Sequence, residues 1–155
     1  MPQRGNDQMY RLAAILLLSG ISTAAAQQSR CSAAEEQRAE VQADALRTWD
    51  ALYKSYKLYG KCDDGAVAEG YSESVARILV DHWSTLPRMA HLAAEDAGFR
   101  RFVLTHVDAT LDLKDLKKIR ANAKTQCPSG LGAICGDITK EVGAALKEDG
   151  SLNIQ

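Results

Sequence analysis

Between Asp63 and Trp83 the apolar residues return every three or four positions, and that period constrains the fold more than any other feature of the chain. Val67, Tyr71, Val75, Ile78 and Leu79 form one line, with His82 on the same side. Asp63 or Asp64 is placed to cap the exposed N–H groups of a helix start, and Glu69 lies near its positive end. Ala66, Gly70 and Ser74 form a second line, of small residues four apart. A glycine inside a helix costs about 1 kcal/mol against alanine, so Gly70 implies that another backbone comes close. The stretch reads as a central, tightly packed helix.

The same period runs through most of the chain. One helix is expected over Ser32–Tyr59, with Ala45, Trp49, Leu52, Tyr53, Tyr56 and Tyr59 on its apolar side and Gly60 as a left-handed cap. Pro87 ends the central helix and suits the first turn of the next, which carries Met89, Leu92 and Ala93. A kink or break is expected at Asp96-Ala97-Gly98, before a face of Phe99, Phe102, Val103, His106 and Val107. Asp112 caps a helix with Leu113, Leu116, Ile119 and Ala123 inward. A last stripe of Leu131, Ile134, Cys135, Ile138, Val142, Ala145 and Leu146 closes at Gly150, and the final five residues fray. No alternating strand pattern or internal repeat interrupts this. The fold class is all-α: a compact bundle of five to six helices in a single domain over 27–155, with an ordered core over 31–148.

The first 26 residues read as a signal peptide. Arg11 precedes the apolar run Leu12–Leu18, Ala24-Ala25-Ala26 resembles a cleavage site, and Met9 is a second candidate start besides Met1. The run is shorter than the roughly 20 residues that span a bilayer. Cleavage leaves 17 bases and 19 acids, a net charge of −2, which favours neither nucleic acid nor stable membrane association. Lys54, Lys57 and Lys61 interleave with Tyr53, Tyr56 and Tyr59, while Lys114, Lys117, Lys118, Arg120 and Lys124 run along a later helix. Such runs are ordinarily solvated helix faces.

Four cysteines (Cys31, Cys62, Cys127 and Cys135) remain for a periplasmic or secreted location, where an even count implies disulfides. On an unbroken Ser32–Tyr59 helix, Cys31 and Cys62 would lie roughly 45 Å apart at 1.5 Å per residue. A bond needs Cα atoms within about 7 Å, so that pair would be excluded. Cys127 and Cys135 flank the turn Pro128-Ser129-Gly130, and a local staple between them is the simplest pairing. A bond from Cys31 to either is the rival, and whether the chain folds back near Gly98 bears on which end Cys31 occupies.

Catalytic signals are weak. His82, His91 and His106 each have a nearby carboxylate (Asp81, Glu95 and Asp108), yet their spacing matches no zinc signature. Gly70-Tyr71-Ser72-Glu73-Ser74 echoes a nucleophile elbow but lacks its last glycine and falls within a helix. No cofactor motif and no metal site is implied. Tyr59, Lys61, Asp63, Asp64, Glu69 and Glu73 gather basic, aromatic and acidic groups about one turn and are the candidate partner-binding residues. The bland alternative makes the tyrosines core and the acids caps.

The blocks CDDGAVAEGYSESVARILVDHW and FRRFVLTHVDATL resemble those of short secreted proteins of proteobacteria. In its layout of signal, helical domain and paired cysteines, the chain is similar to periplasmic immunity proteins against type VI secretion amidases. That resemblance implies a non-enzymatic inhibitor that blocks a cell-wall-targeting toxin as its protein partner. Two other classes stand beside it. One is a small hydrolase or metal protein centred on His82, Asp81 and Glu73. The other is an assembly factor that forms a homodimer through Ala66, Gly70 and Ser74.

Overall fold

The structure, a computed structural model, describes residues 30–148 and Gly150. The expected signal peptide at 1–26, residues 27–29 and the last five residues lie outside that range. Among the described residues the protein is all-helical: α1 (Ala33–Ala43), α2 (Trp49–Tyr59), α3 (Gly65–Asp81), α4 (Leu86–Glu95), α5 (Ala97–Thr105), α6 (Leu113–Thr125) and α7 (Gly132–Glu148). Short 3-10 turns at Gly60–Cys62 and Trp83–Thr85 flank α3.

Seven helices among the described residues stand in place of the expected five or six: the chain breaks near Asp96-Ala97-Gly98, as one of the two expected readings had it, and the first arm breaks as well. The first arm does not run from Ser32 to Tyr59. It stops at Ala43 and restarts at Trp49, with Thr48 in extended backbone accepting the Ala51 N–H. Its apolar residues divide between the two helices. Ala39 and Ala43 face inward on α1, Ala45 is exposed in the connection, and Trp49 and Leu52 point inward on α2. The hairpin brings Cys31 back to Cys62, and the two are bonded with Cα atoms 4.9 Å apart. The exclusion of that pair is corrected, since its premise was the unbroken helix. Cys127–Cys135 is the local staple expected, with Cα atoms 6.1 Å apart.

The second break falls at Asp96, where the chain is extended and the carboxylate accepts the N–H groups of Gly98 and Phe99. Gly60 is not a left-handed cap: its φ is −58° and the chain tightens into a 3-10 turn instead. Gly150, by contrast, has φ +73°, the left-handed conformation that glycine adopts without strain.

The centre is α3. Tyr71, Val75, Ala76, Ile78 and Leu79 are fully buried, and the helix packs on α1, α2 and α6, while α6 pairs extensively with α7. At Gly70 the neighbouring backbone is the end of α1: a Cβ there would meet Ala43 Cβ at 2.7 Å and Asp44 N at 3.0 Å. Ser74, fully buried one turn on, donates to the Ala43 carbonyl and accepts the Leu46 N–H at 3.0 Å. The line of small residues is therefore occupied inside the chain at Gly70 and Ser74, while Ala66 is exposed. Burying these polar groups is tolerable because each finds a partner.

Candidate functional site

The first turn of α3 is fixed from three sides. Cys62 is tied to Cys31, Lys61 Nζ lies 2.8 Å from Glu35 Oε1, and the Asp64 carboxylate accepts the Gly65 N–H at 2.8 Å. Gly65 has φ +50°, so a residue without Cβ suits this entry into the helix. Glu35 also completes a capping box with Ser32 at the start of α1. Hydrogen bonds from Lys61 first, and then from Ser32, hold the Glu35 carboxyl down at about 2, below its ordinary 4.5.

Asp63, set between these anchors, reaches across to α5. Its Oδ1 lies 3.0 Å from Nε2 of His106, a ring only 3 % exposed. The other ring nitrogen, Nδ1, is 2.7 Å from the Phe102 carbonyl. Each ring nitrogen thus faces an oxygen, one from a carboxylate and one from the backbone. Phe102 lies against the ring with centroids 4.4 Å apart, and Tyr71 meets it edge-on at 5.8 Å. Burial pushes the Tyr71 phenol up from its ordinary value, although the hydrogen bond with Ser55 at 2.8 Å opposes that shift.

Beyond this pair a groove opens between α3 and the loop that leads from α5 to α6. One part, of about 180 Å³, is lined by Asp63, Glu69, Ser72, Thr105, His106, Asp108 and Thr110, along with Ala68. A second part, of about 320 Å³, shares Glu69, Ser72 and Thr110 and adds Glu73 and Leu111. Its floor is rigid. Ser72 donates to Asp108 Oδ2 at 3.1 Å, and Asp108 Oδ1 accepts from the Thr110 N–H at 2.8 Å and the Thr110 hydroxyl at 2.6 Å. Glu73 Oε1 lies 3.0 Å from Arg77 Nε, near enough for charge attraction though not aligned as a hydrogen bond. Arg77 reaches on to Asp81 at 3.6 Å and to Asp115 of α6.

The six residues expected at one surface divide between two. Asp63, Glu69 and Glu73 meet in the groove, with Asp64 beside them as the cap of α3. Tyr59 instead lines a separate hollow of about 540 Å³ with Ala34, Gln37, Arg38, Val41 and Gln42, and Lys61 turns to Glu35. The cause is the hairpin: once α1 folds back, the side chains around Cys62 face different helices.

The carboxylates expected to orient the histidines are largely engaged elsewhere. Asp81 turns to Arg77, and His82 is exposed at the end of α3 rather than on its apolar stripe, because the helix stops there. Asp108 takes Ser72 while Asp63 takes His106. His91 does meet Glu95, at 3.2 Å on the surface of α4. No group of three His, Cys, Asp or Glu among the described residues is arranged to hold a metal ion. Ser72, Thr105, Asp108 and Thr110 were missed as groove residues. The one local signal was Asp108-Ala109-Thr110, a sequence that favours an Asx turn.

No family model matches this sequence, and neither a curated protein nor a solved structure matches it. The functional reading therefore rests on the geometry of the groove.

Proposed function

We propose that the chain is an exported, non-enzymatic binding protein whose acidic groove receives basic side chains of a protein partner. Within that class we infer an immunity or inhibitor role, blocking a cell-wall-targeting toxin in the periplasm. One observation carries the reading: Asp63, Glu69, Glu73 and Asp108, from two separate segments, converge on one concave surface edged by hydroxyl groups. Asp63 and Asp108 are held by hydrogen bonds, so part of the acidic lining is ordered before a partner arrives. Preorganised groups bind with less loss of rotamer freedom. Both nitrogens of His106 are engaged and the Ser72 hydroxyl points to Asp108, an arrangement that favours recognition over proton transfer.

Two disulfides accord with an oxidising compartment, and no helix among the described residues is long and apolar enough to cross a membrane. The test is affinity capture from the native host with mass-spectrometric identification, comparing wild type with Glu69→Lys/Glu73→Lys. A toxin of the cell envelope held by wild type and weakened about a hundredfold by the reversal, some 2.7 kcal/mol, is expected. Undiminished capture by the reversed protein would remove the groove from the account.

A further inference from the structure

The opposite charge gathers on α6. Lys114, Lys117, Lys118, Arg120 and Lys124 lie along it, and Lys114 and Lys124 are separated by about 15 Å at 1.5 Å per residue. The four lysines are exposed and project from one side, where Ala121 in their midst is exposed and too small to separate them. Two acids belong to this segment, and the fold diverts both. Asp112 caps the helix by accepting the Lys114 N–H at 2.7 Å, and Asp115 turns to Arg77 on α3. Among the described residues no carboxylate lies within ion-pair distance of any of the five cations. Glu69, exposed at the rim of the groove, likewise makes no ion pair with a described residue.

Groove and strip adjoin. Thr110 and Leu111 line the groove, α6 begins two residues later, and Arg77 links Glu73 of the groove to Asp115 of the helix. The chain therefore carries an acidic receptor and a basic ligand side by side, a pattern that is complementary to itself after a half-turn rotation. We propose that a second copy of this chain occupies the groove, its α6 lysines against Glu69 and Glu73, in a two-fold pair in which each copy does the same to the other. This rests on reading the groove as a receptor for basic side chains. The pair would be a resting form that a basic partner displaces. Its attraction is between exposed charges, so it weakens as salt shortens the Debye length from about 10 Å at 0.1 M to about 3 Å at 1 M.

The experiment is sedimentation equilibrium of the oxidised full chain at low and high salt, with circular dichroism confirming the fold of each variant. Wild type is expected to show a concentration-dependent dimer at low salt, weakened about tenfold or more near 1 M. Lys117→Glu/Lys118→Glu and Glu69→Lys/Glu73→Lys should each be monomeric. Mixed together they should pair, because each reversed strip then meets a groove of opposite sign. A wild type that stays monomeric at low salt overturns the proposal, as does a dimer indifferent to both reversals or a mixture that fails to associate. Sedimentation with phosphatidylglycerol vesicles adds a further arm. Lysine-dependent binding there by a monomeric wild type would give the strip to an anionic membrane and overturn the pair. Partner capture separates the two readings, since Lys117→Glu/Lys118→Glu should lose the dimer and keep the partner.

Discussion

Gly70→Ala tests the packing at the centre of the molecule through the sign of its effect. In a helix with open space around the position, replacing glycine by alanine stabilises by about 1 kcal/mol. At Gly70 the new methyl would sit 2.7 Å from Ala43 Cβ, 3.0 Å from Asp44 N and 3.2 Å from Ala43 C. Two of these three are backbone atoms, so no side-chain rotation relieves the contact, and the end of α1 must move. That end is also held by both hydrogen bonds of Ser74. Overpacking of this kind costs about 1–3 kcal/mol, and each strained hydrogen bond adds about 1 kcal/mol. Set against the propensity gain, the net expectation is a loss of about 2 kcal/mol, or a melting temperature lower by about 8 °C for a domain of this size. Urea unfolding followed by far-ultraviolet circular dichroism measures it, with Gly136→Ala as the control. A Cβ on Gly136, in α7, meets nothing within 4 Å, and that variant should gain up to about 1 kcal/mol. If Gly70→Ala stabilises as the control does, the close approach of α1 to α3 is refuted.

The remaining expectations concern the staples, the buried hydroxyl and the acid response. Replacing Cys31 and Cys62 by serine opens a loop of 31 residues and should cost about 4 kcal/mol, against about 2.5 kcal/mol for the 8-residue Cys127–Cys135 loop, as read from denaturant midpoints. Equal losses would contradict the placement of the two bridges. Ser74→Ala leaves the Leu46 N–H without its partner and should destabilise by about 1–3 kcal/mol; a neutral result in the same unfolding assay would show that water replaces it. Glu35, held at about 2 by Lys61 and Ser32, is joined by Asp50 and Asp96, which hydrogen bonds from Arg88 and Lys57 keep below the usual carboxylate range. Lowered carboxylates stabilise the fold fully above their ordinary values and lose that contribution as pH falls through the depressed ones. Melting temperature should therefore be level down to about pH 4.5 and decline toward about pH 2, and Glu35→Gln should flatten part of that decline.

Helix type was legible wherever an apolar stripe ran for several turns. The line from Val67 to Leu79 in α3 and that from Ile134 to Leu146 in α7 became buried faces, and Gly70 announced a close backbone through its poor helix propensity. What stayed hidden was where a stripe changes direction. Ala45, Trp49 and Leu52 keep three-four spacing across a break, and the spacing cannot say that Trp49 begins a new helix on a different axis. The Thr48 cap was the available signal, and it falls within an otherwise continuous pattern. One missed break then removed the Cys31–Cys62 bond and merged two surfaces into one. In the groove the acidic residues of α3 were visible as exposed positions on a helix. The Asp63–His106 and Ser72–Asp108 contacts join residues 43 and 36 positions apart, and no local pattern encodes which carboxylate meets which donor.

Every step from the hairpin to the groove depends on which cysteines are joined, because the bridge ahead of Asp63 sets where that carboxylate enters the protein. Digestion of the unreduced protein followed by mass spectrometry of the linked peptides reads the pairing directly. The structure predicts one species joining the peptides of Cys31 and Cys62, and an intramolecular loop between Cys127 and Cys135. A Cys31 peptide found linked to Cys127 or Cys135 would contradict the hairpin, and with it the meeting of Asp63 and His106.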